Sequence, residues 1–251
     1  MATPRLRALV FDLWGTLLLD DLTRSESKRA TRLRLVREAL IAAGRVYPEG
    51  RIAAALEALT NAYRGWHDAG RDVSIDERLI ALLDGVEPGL AQRLSPRALQ
   101  AIEDALVAPS RDEPPLPALG ALEVLAEARK RKLALGLVSN TGLTPGYALR
   151  EALARHGLLE HLQVLTFSDE ARLAKPAPEV FACTLEALRV KPAEAVFIGD
   201  TPKLDVAGPR ALGMWTVQVG SLPADGTRPH ARIDGLLDLF PALRKLGLVK
   251  R

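Results

Sequence analysis

One pattern recurs from residue 133 onward: a short apolar run, a turn built from Gly, Pro, Asn or Asp, then an amphipathic helical stretch. LALGLVS (133–139), QVLTF (163–167), AVFIG (195–199) and WTVQV (215–219) are the apolar runs, with EARLAKPAPEVFACTLEAL and DVAGPRALG supplying helices between them. Strands joined by helices rather than tight turns pair in parallel, and a parallel sheet is covered on both faces, so its strands are apolar throughout rather than alternating. An earlier run, Ala8-Leu9-Val10-Phe11, has the same character and stops on Asp12. The fold class expected is α/β, a doubly wound parallel sheet.

Residues 22 to about 112 break that rhythm. Amphipathic helical pattern covers about 24–43, 50–69, 74–84 and 96–108 with no convincing strand, and RDEPPLPALG then marks the return to strand and helix. A helical insertion between the first and second strands is the simplest organisation, with hinges near Leu18 to Asp21 and Ser110 to Pro117. The division expected is a core domain of residues 1–20 and 113–251 and an inserted helical domain of residues 21–112, for which 251 residues suffice.

In a doubly wound sheet the loops at the carboxyl ends of the strands meet in one crevice. The polar residues just past each run are Asp12, Trp14 and Thr16 after the first, Ser139, Asn140 and Thr141 after the second, Lys175 a little past QVLTF, and Asp200 and Asp205 after AVFIG. Those types suit phosphate transfer. A carboxylate attacking a dianionic phosphate is repelled by it and needs a cation to hold both, and hard carboxylate oxygens suit Mg²⁺; Asp12 and Asp200 fit. Ser139 is placed to hydrogen-bond phosphoryl oxygens, and Lys175 to balance the accumulating charge.

Several function classes drop out. Cys183 is the only cysteine, which excludes an intrachain disulfide, and in VFACTLEAL it is expected as a buried, inert thiol. A net charge of +3 is too small an excess to argue for nucleic acid. No 18-residue apolar run occurs, and Arg5 and Arg7 lead straight into the first strand, so no membrane partner is expected and the cytoplasm is the expected compartment. His67, His156, His161 and His230 show no metal-ligand spacing and receive no role. Trp66 and His67 are expected in surface or helical-domain packing, with a site-facing role the alternative. In SESKRATRLRLVR (25–37), Lys28 and Arg32 share a face with Arg24; a solvated face is the expectation, an anion clamp or nucleic-acid contact the alternative.

FDLWGT, LVSNT, AKPAPEVF and FIGDTPKLD, in that order and spacing, resemble the four signature motifs of the haloacid dehalogenase superfamily of hydrolases. The resemblance covers residues 6 to 20 and about 115 to 240, and the insertion falls where that superfamily carries a helical cap. It implies a Rossmann-like core with the active site between core and cap. By the same resemblance Asp12 is the nucleophile, forming an aspartyl intermediate, while Ser139 and Lys175 position and neutralise the transferring group. Asp12, Asp200 and the backbone carbonyl of Trp14 are the implied Mg²⁺ ligands, with Asp205 supporting the metal site. Thr16 orients the first loop and Asn140 shapes the second. The implied substrate is a small, anionic, phosphorylated molecule; the oligomeric state stays open.

One position departs from the pattern. Phosphatases of the superfamily usually carry a second Asp two residues after the nucleophile, as the acid and base of the reaction; here Trp14 stands there, and indole transfers no proton at ordinary pH. That function is worth roughly 10² to 10⁴-fold in rate. The 2-haloacid dehalogenases of the superfamily carry an aromatic residue there and release a halide, which needs no proton. They need no metal, however, and have Ser-Ser-Asn where this chain has Gly199-Asp200 followed by Asp205. Three readings stand: a Mg²⁺-dependent phosphatase, a dehalogenase, and a catalytically weak ligand-binding or regulatory protein. Trp14 itself is equally a hydrophobic plug packed against the cap or a substrate contact.

Overall fold

The computed structural model describes residues 5–220 and 226–250; residues 1–4, 221–225 and 251, part of the expected core-domain span, lie outside the described residues. Strand β1 (Ala8–Phe11) is wholly buried, as four apolar residues covered on both faces should be. Its neighbours are β4 (Ala134–Ser139) and β6 (Ala195–Gly199), both parallel, with Phe11 opposite Leu137 on one side and Ile198 on the other. The sheet extends outward through β5 (Val164–Phe167) on the β4 edge and through β7 (Trp215–Val219) and β8 (Ala231–Ile233) on the other, in the order β5-β4-β1-β6-β7-β8, every pair parallel. β8 is a strand that the sequence reading did not anticipate; three residues carry too little periodicity to be seen.

Helices cover both faces. On one, α5 (Ala121–Lys130), α6 (Gly146–Arg155) and α10 (Leu239–Lys245) bury Leu125, Leu149, Leu153 and Leu243 against Leu9, Phe11, Leu135 and Leu137. On the other, α8 (Pro178–Leu188) sets Val180, Phe181 and Leu185 against Val10, Val138 and Phe197. The stretch EARLAKPAPEVFACTLEAL, read as helical, divides into the end of α7 (Ser168–Ala171), an irregular segment over 172–177, and α8 beginning at Pro178. Two prolines, Pro176 and Pro178, forbid an uninterrupted helix there.

The insertion leaves and rejoins the core through a two-stranded antiparallel ribbon, β2 (Leu18–Leu19) with β3 (Leu116–Pro117), at the two places read as hinges. Between them lie α1 (Leu22–Ala42), α2 (Glu49–Asp68), α3 (Ile75–Val86) and α4 (Pro96–Asp112), close to the four helical stretches expected. Their starts follow local chemistry: Asp21 accepts from the Arg24 backbone N–H, Ser74 and Glu77 form a reciprocal capping box, and Ser95 caps a helix that opens on Pro96. The four bury their own apolar cluster, with Val36, Leu40, Ile52, Leu82, Leu83 and Ile102 fully enclosed.

Two expectations about surfaces are corrected. Cys183 is exposed, not buried, because α8 turns Val180, Phe181, Thr184 and Leu185 inward and leaves position 183 off that face. Lys28 and Arg32 are buried, not solvated: α1 packs lengthwise against α4, which encloses the very face that carries them. Among the described residues no helix is long and apolar enough to cross a membrane.

Candidate active site

Strand register assembles the site. Asp12 continues the β1 ladder by one residue, its N–H donating to the Ile198 carbonyl at 2.8 Å, so its side chain emerges beside the ends of β4 and β6. The chain then turns at once. The Leu13 carbonyl accepts from the N–H groups of Thr16, Leu17 and Leu18, and Gly15 adopts φ +73°. Glycine is required there twice over: the left-handed backbone favours it, and a Cβ would stand 2.8 Å from Asp200 Cγ. The Thr16 hydroxyl, buried, has no hydrogen-bond partner among the described residues, so the hydrogen bonds of this loop run through Leu13 rather than through the Thr16 side chain.

Asp12, Lys175 and Asp205 form the centre. Lys175 Nζ donates to Asp12 Oδ1 at 2.5 Å and to Asp205 Oδ1 at 2.8 Å, and all three residues are buried. Asp205 is further held by the Thr201 N–H, 2.9 Å from its Oδ2. Asp200, half-buried, accepts from the Thr201 hydroxyl at 3.0 Å. The chain after β6 coils as a π-helical turn over Pro202–Ala207 before α9 (Gly208–Ala211), and this wide turn points Asp205 back at the strand end.

Lys175 owes its position to Asn140, whose amide N donates to the Lys175 carbonyl at 2.9 Å and whose Oδ1 accepts from the Lys175 N–H at 2.8 Å. Asn140 thus clamps the backbone on either side of the lysine. Ser139, buried at the end of β4, spends its hydroxyl only on the Asn140 carbonyl at 3.3 Å, a weak bond that a phosphoryl oxygen would displace.

Positive charge is short in this cluster. Burial pushes the Asp12 carboxyl up to about 7, with Lys175 pulling it down and Asp205 adding to the rise. Burial and Asp205 likewise raise Asp200. Burial works against the Lys175 ammonium, but Asp12 and Asp205 outweigh it and hold the lysine charged. Asp12, Asp200 and Asp205 each offer an oxygen within 4.8 Å of the other two. With all three ionised, the carboxylates around one ammonium leave two formal negative charges unbalanced, which a divalent cation with oxygen preference would meet.

Trp14 lies on the turn after Asp12, packs on the main core cluster rather than on the helical domain, and also lines a cavity of about 730 Å³ between the strand ends and α1, α2 and α4. His67 lines the same cavity. Its Nε2 is 2.9 Å from Asp72 Oδ2, a carboxylate with no solvent exposure. Trp66 does pack in the helical domain, its ring 6.0 Å from that of Tyr63.

The sequence reading missed the buried polar network that fixes the helical domain over the core. Arg78, on α3, pairs with Asp72 at 2.7 Å and donates to Thr141 Oγ1 at 2.8 Å and to the Gly142 carbonyl. The Ser168 hydroxyl donates to Asp72 at 2.5 Å, and Thr141 reaches Asp169 at 3.0 Å. Burial works against Asp72, but hydrogen bonds from His67, Arg78 and Ser168 keep its carboxyl below the ordinary range. The backbone contributes too, as the Ala174 N–H donates to the Gly70 carbonyl at 3.0 Å. Thr141, just past β4, was the visible signal; nothing in sequence links it to Arg78.

Comparison with known proteins identifies the family. The family model described as haloacid dehalogenase-like hydrolase matches residues 6–213. The chain is 40% identical over 121 residues to a phosphoserine phosphatase of Thermus thermophilus, a match covering 47% of either chain. It spans about half the length of the curated relatives it matches. Among solved structures, a 2-haloacid dehalogenase of Pseudomonas syringae pv. Tomato superposes with a TM-score of 0.68 at 20% identity, covering 96% of this chain and 99% of that one. A phosphatase of Thermococcus onnurineus superposes at 0.61 and 21% identity, covering 96% and 98%. At such identities these two likenesses speak for the fold alone.

Proposed function

The chain belongs to the haloacid dehalogenase-like hydrolases, and on that premise we propose that it is a Mg²⁺-dependent phosphatase that transfers the phosphoryl group of a small phosphorylated substrate to Asp12. The observation that carries the reading is the charge balance at the strand ends: Asp12, Asp200 and Asp205 within ligand distance of one another, with Lys175 the one ammonium bonded to two of them. A metal-free displacement of halide would give Asp200 nothing to do. The donor set fits Mg²⁺, which Asp12, Asp200, Asp205 and the Trp14 carbonyl would hold; when bound, it supplies the positive charge that lets carboxylate and phosphate approach.

Asp12 Oδ attacks phosphorus and the bond to the leaving oxygen breaks, giving an aspartyl phosphate. Water then attacks that phosphorus and returns the Asp12 carboxylate with inorganic phosphate. Lys175 holds the Asp12 carboxylate in place and balances charge on the phosphoryl group, Ser139 donates to a phosphoryl oxygen, and Asn140 keeps Lys175 positioned. Helices α1 to α4, the inserted domain of residues 21–112, serve as the cap that excludes bulk water above the core of residues 1–20 and 113–251. Trp14 carries no proton to the leaving oxygen, so the reaction favours leaving groups that depart as stable anions.

The dehalogenase alternative rests on Trp14 alone. Hydrolysis of p-nitrophenyl phosphate and acetyl phosphate, with Mg²⁺ and with a chelator, separates the two. Phosphate release that needs Mg²⁺ and vanishes in Asp12→Asn and Asp200→Asn is expected. Halide release from 2-chloro acids in the presence of chelator, without phosphate release, would establish the dehalogenase instead. Tight ligand binding with neither product would leave a binding protein.

A further inference from the structure

The cavity that begins at Trp14, Asn140 and Thr201 ends on α1 and α2, against Lys28, Arg32 and Tyr63. That far wall sets two cations, Lys28 and Arg32, against the single carboxylate of Asp20, and so keeps one positive charge in excess. Lys28 is paired, its Nζ 2.7 Å from Asp20 Oδ2. Arg32 is 7% exposed and has no carboxylate at ion-pair distance among the described residues. Its Nε donates to the Leu106 carbonyl at 2.6 Å and its Nη2 to Ser110 Oγ at 3.4 Å, both neutral acceptors, and its Nη1 has no partner among the described residues. Tyr63, 6% exposed, has a hydroxyl with no hydrogen-bond partner among the described residues, and it is a close electrostatic neighbour of Arg32.

Each of these groups costs stability as it stands. A buried guanidinium that shares its one neighbouring carboxylate, Asp20, with Lys28 and makes no ion pair of its own, and a buried hydroxyl without a partner, are poorly tolerated in a folded chain. They persist where a ligand completes them, and both line one cavity whose other end holds the nucleophile's neighbours Trp14 and Asn140. The phosphoryl group does not need them, since Lys175 and Ser139 serve it at the strand ends.

We propose that Arg32, with the Tyr63 hydroxyl beside it, binds a second anionic group, a carboxylate or a phosphate, at the end of the substrate remote from the transferred phosphoryl group. This inference rests on the phosphatase reading. A guanidinium offers such a group two parallel donors in one plane, which a lysine does not. The substrate class follows: compact phosphomonoesters charged at both ends, with neutral alkyl phosphates poor by comparison. A purely structural Arg32, tying α1 to α4 through Leu106 and Ser110, would lower stability on removal without changing which ligands bind.

The test measures calorimetric affinity of the Asp12→Asn protein, in Mg²⁺, for ω-carboxyalkyl phosphates, α,ω-alkane bisphosphates and n-alkyl phosphates matched in chain length. At the best length, one of the doubly charged series should bind roughly 10- to 100-fold more tightly than its alkyl counterpart. Whether the carboxylates or the bisphosphates lead identifies the second group. Adding Arg32→Met should remove most of that preference, and adding Tyr63→Phe should reduce it several-fold. No preference at any length, or a preference that survives both changes, overturns the proposal. Should Arg32→Met fail to fold, Arg32→Lys takes its place: a lost preference supports the subsite, and an unchanged preference in both Arg32→Lys and Tyr63→Phe overturns it. Failure of the phosphatase reading shows separately, as wild-type protein that binds these compounds and releases no phosphate.

Discussion

Lys175 Nζ stands 2.5 Å from Asp12 Oδ1, although 163 residues separate them. The same ammonium reaches Asp205 at 2.8 Å, so one buried cation ties the end of β1 to the turn after β6. The lysine offsets part of the burial of the Asp12 carboxyl, and Asp12 and Asp205 offset the burial of the lysine. The cluster is still short of positive charge, a deficit that the proposed Mg²⁺ would meet.

Removing the ammonium should therefore be costly, and a metal should partly replace it. Lys175→Met is expected to lose about 3–5 kcal/mol in chelator, the usual cost of stranding a buried charge. Millimolar Mg²⁺ should restore more stability to the variant than it adds to wild type. Urea unfolding of both proteins, with and without Mg²⁺, checks this; equal metal effects would argue that the cation does not bind beside Lys175.

Gly15→Ala tests the tightness of the first turn. The left-handed backbone at φ +73° and the overlap of a Cβ with Asp200 should cost roughly 1–3 kcal/mol and displace that carboxylate. Phosphatase activity should fall more than tenfold, with a raised Mg²⁺ requirement. A variant with wild-type metal dependence would show that Asp200 is not a ligand.

Asp72 sets an acid limit on stability. Its carboxyl lies below the ordinary range in the folded protein, so its contribution is complete above the unfolded value, about 4, and is lost as pH falls through the lower folded value. Wild-type unfolding free energy should drop below about pH 4 more steeply than that of Asp72→Asn, which begins lower. Parallel curves from urea titrations at pH 2.5 to 7 would remove Asp72 from the account.

Trp14→Asp asks whether the missing acid and base limits turnover. The rate should rise for alkyl phosphates, by up to roughly 10²-fold, and change little for acetyl phosphate, whose leaving group departs without a proton. Loss of activity on both would mean that the indole, packed on the core and lining the cavity, has become part of the pocket's shape.

Much of this was legible beforehand because it is local. The apolar runs ending in Asp12, Ser139 and Gly199 are short enough to be read as strands, and a parallel sheet leaves its loops no choice but to meet at one edge. Asn140 was placed beside the site but not understood, because its clamp on Lys175 joins two loops 35 residues apart. Cys183 was misjudged because an apolar helical stretch does not say which of its faces meets the sheet. Arg32 was given to solvent because an isolated helix carries no record of what will pack on it.

The sequence by itself determined five of the six strands of the main sheet, the helical insertion between β1 and β4, and the identities of the charged residues at the strand ends, since backbone propensity and period are written residue by residue. Only the tertiary structure decided what those charges face. α1 lies against α4 and so buries Lys28 and Arg32 at the cavity, and Arg78 reaches from α3 to Thr141 and Gly142. Such partnerships depend on the packing of helix against helix and domain against domain, where one buried ion pair or one enclosed guanidinium outweighs any local preference along the chain.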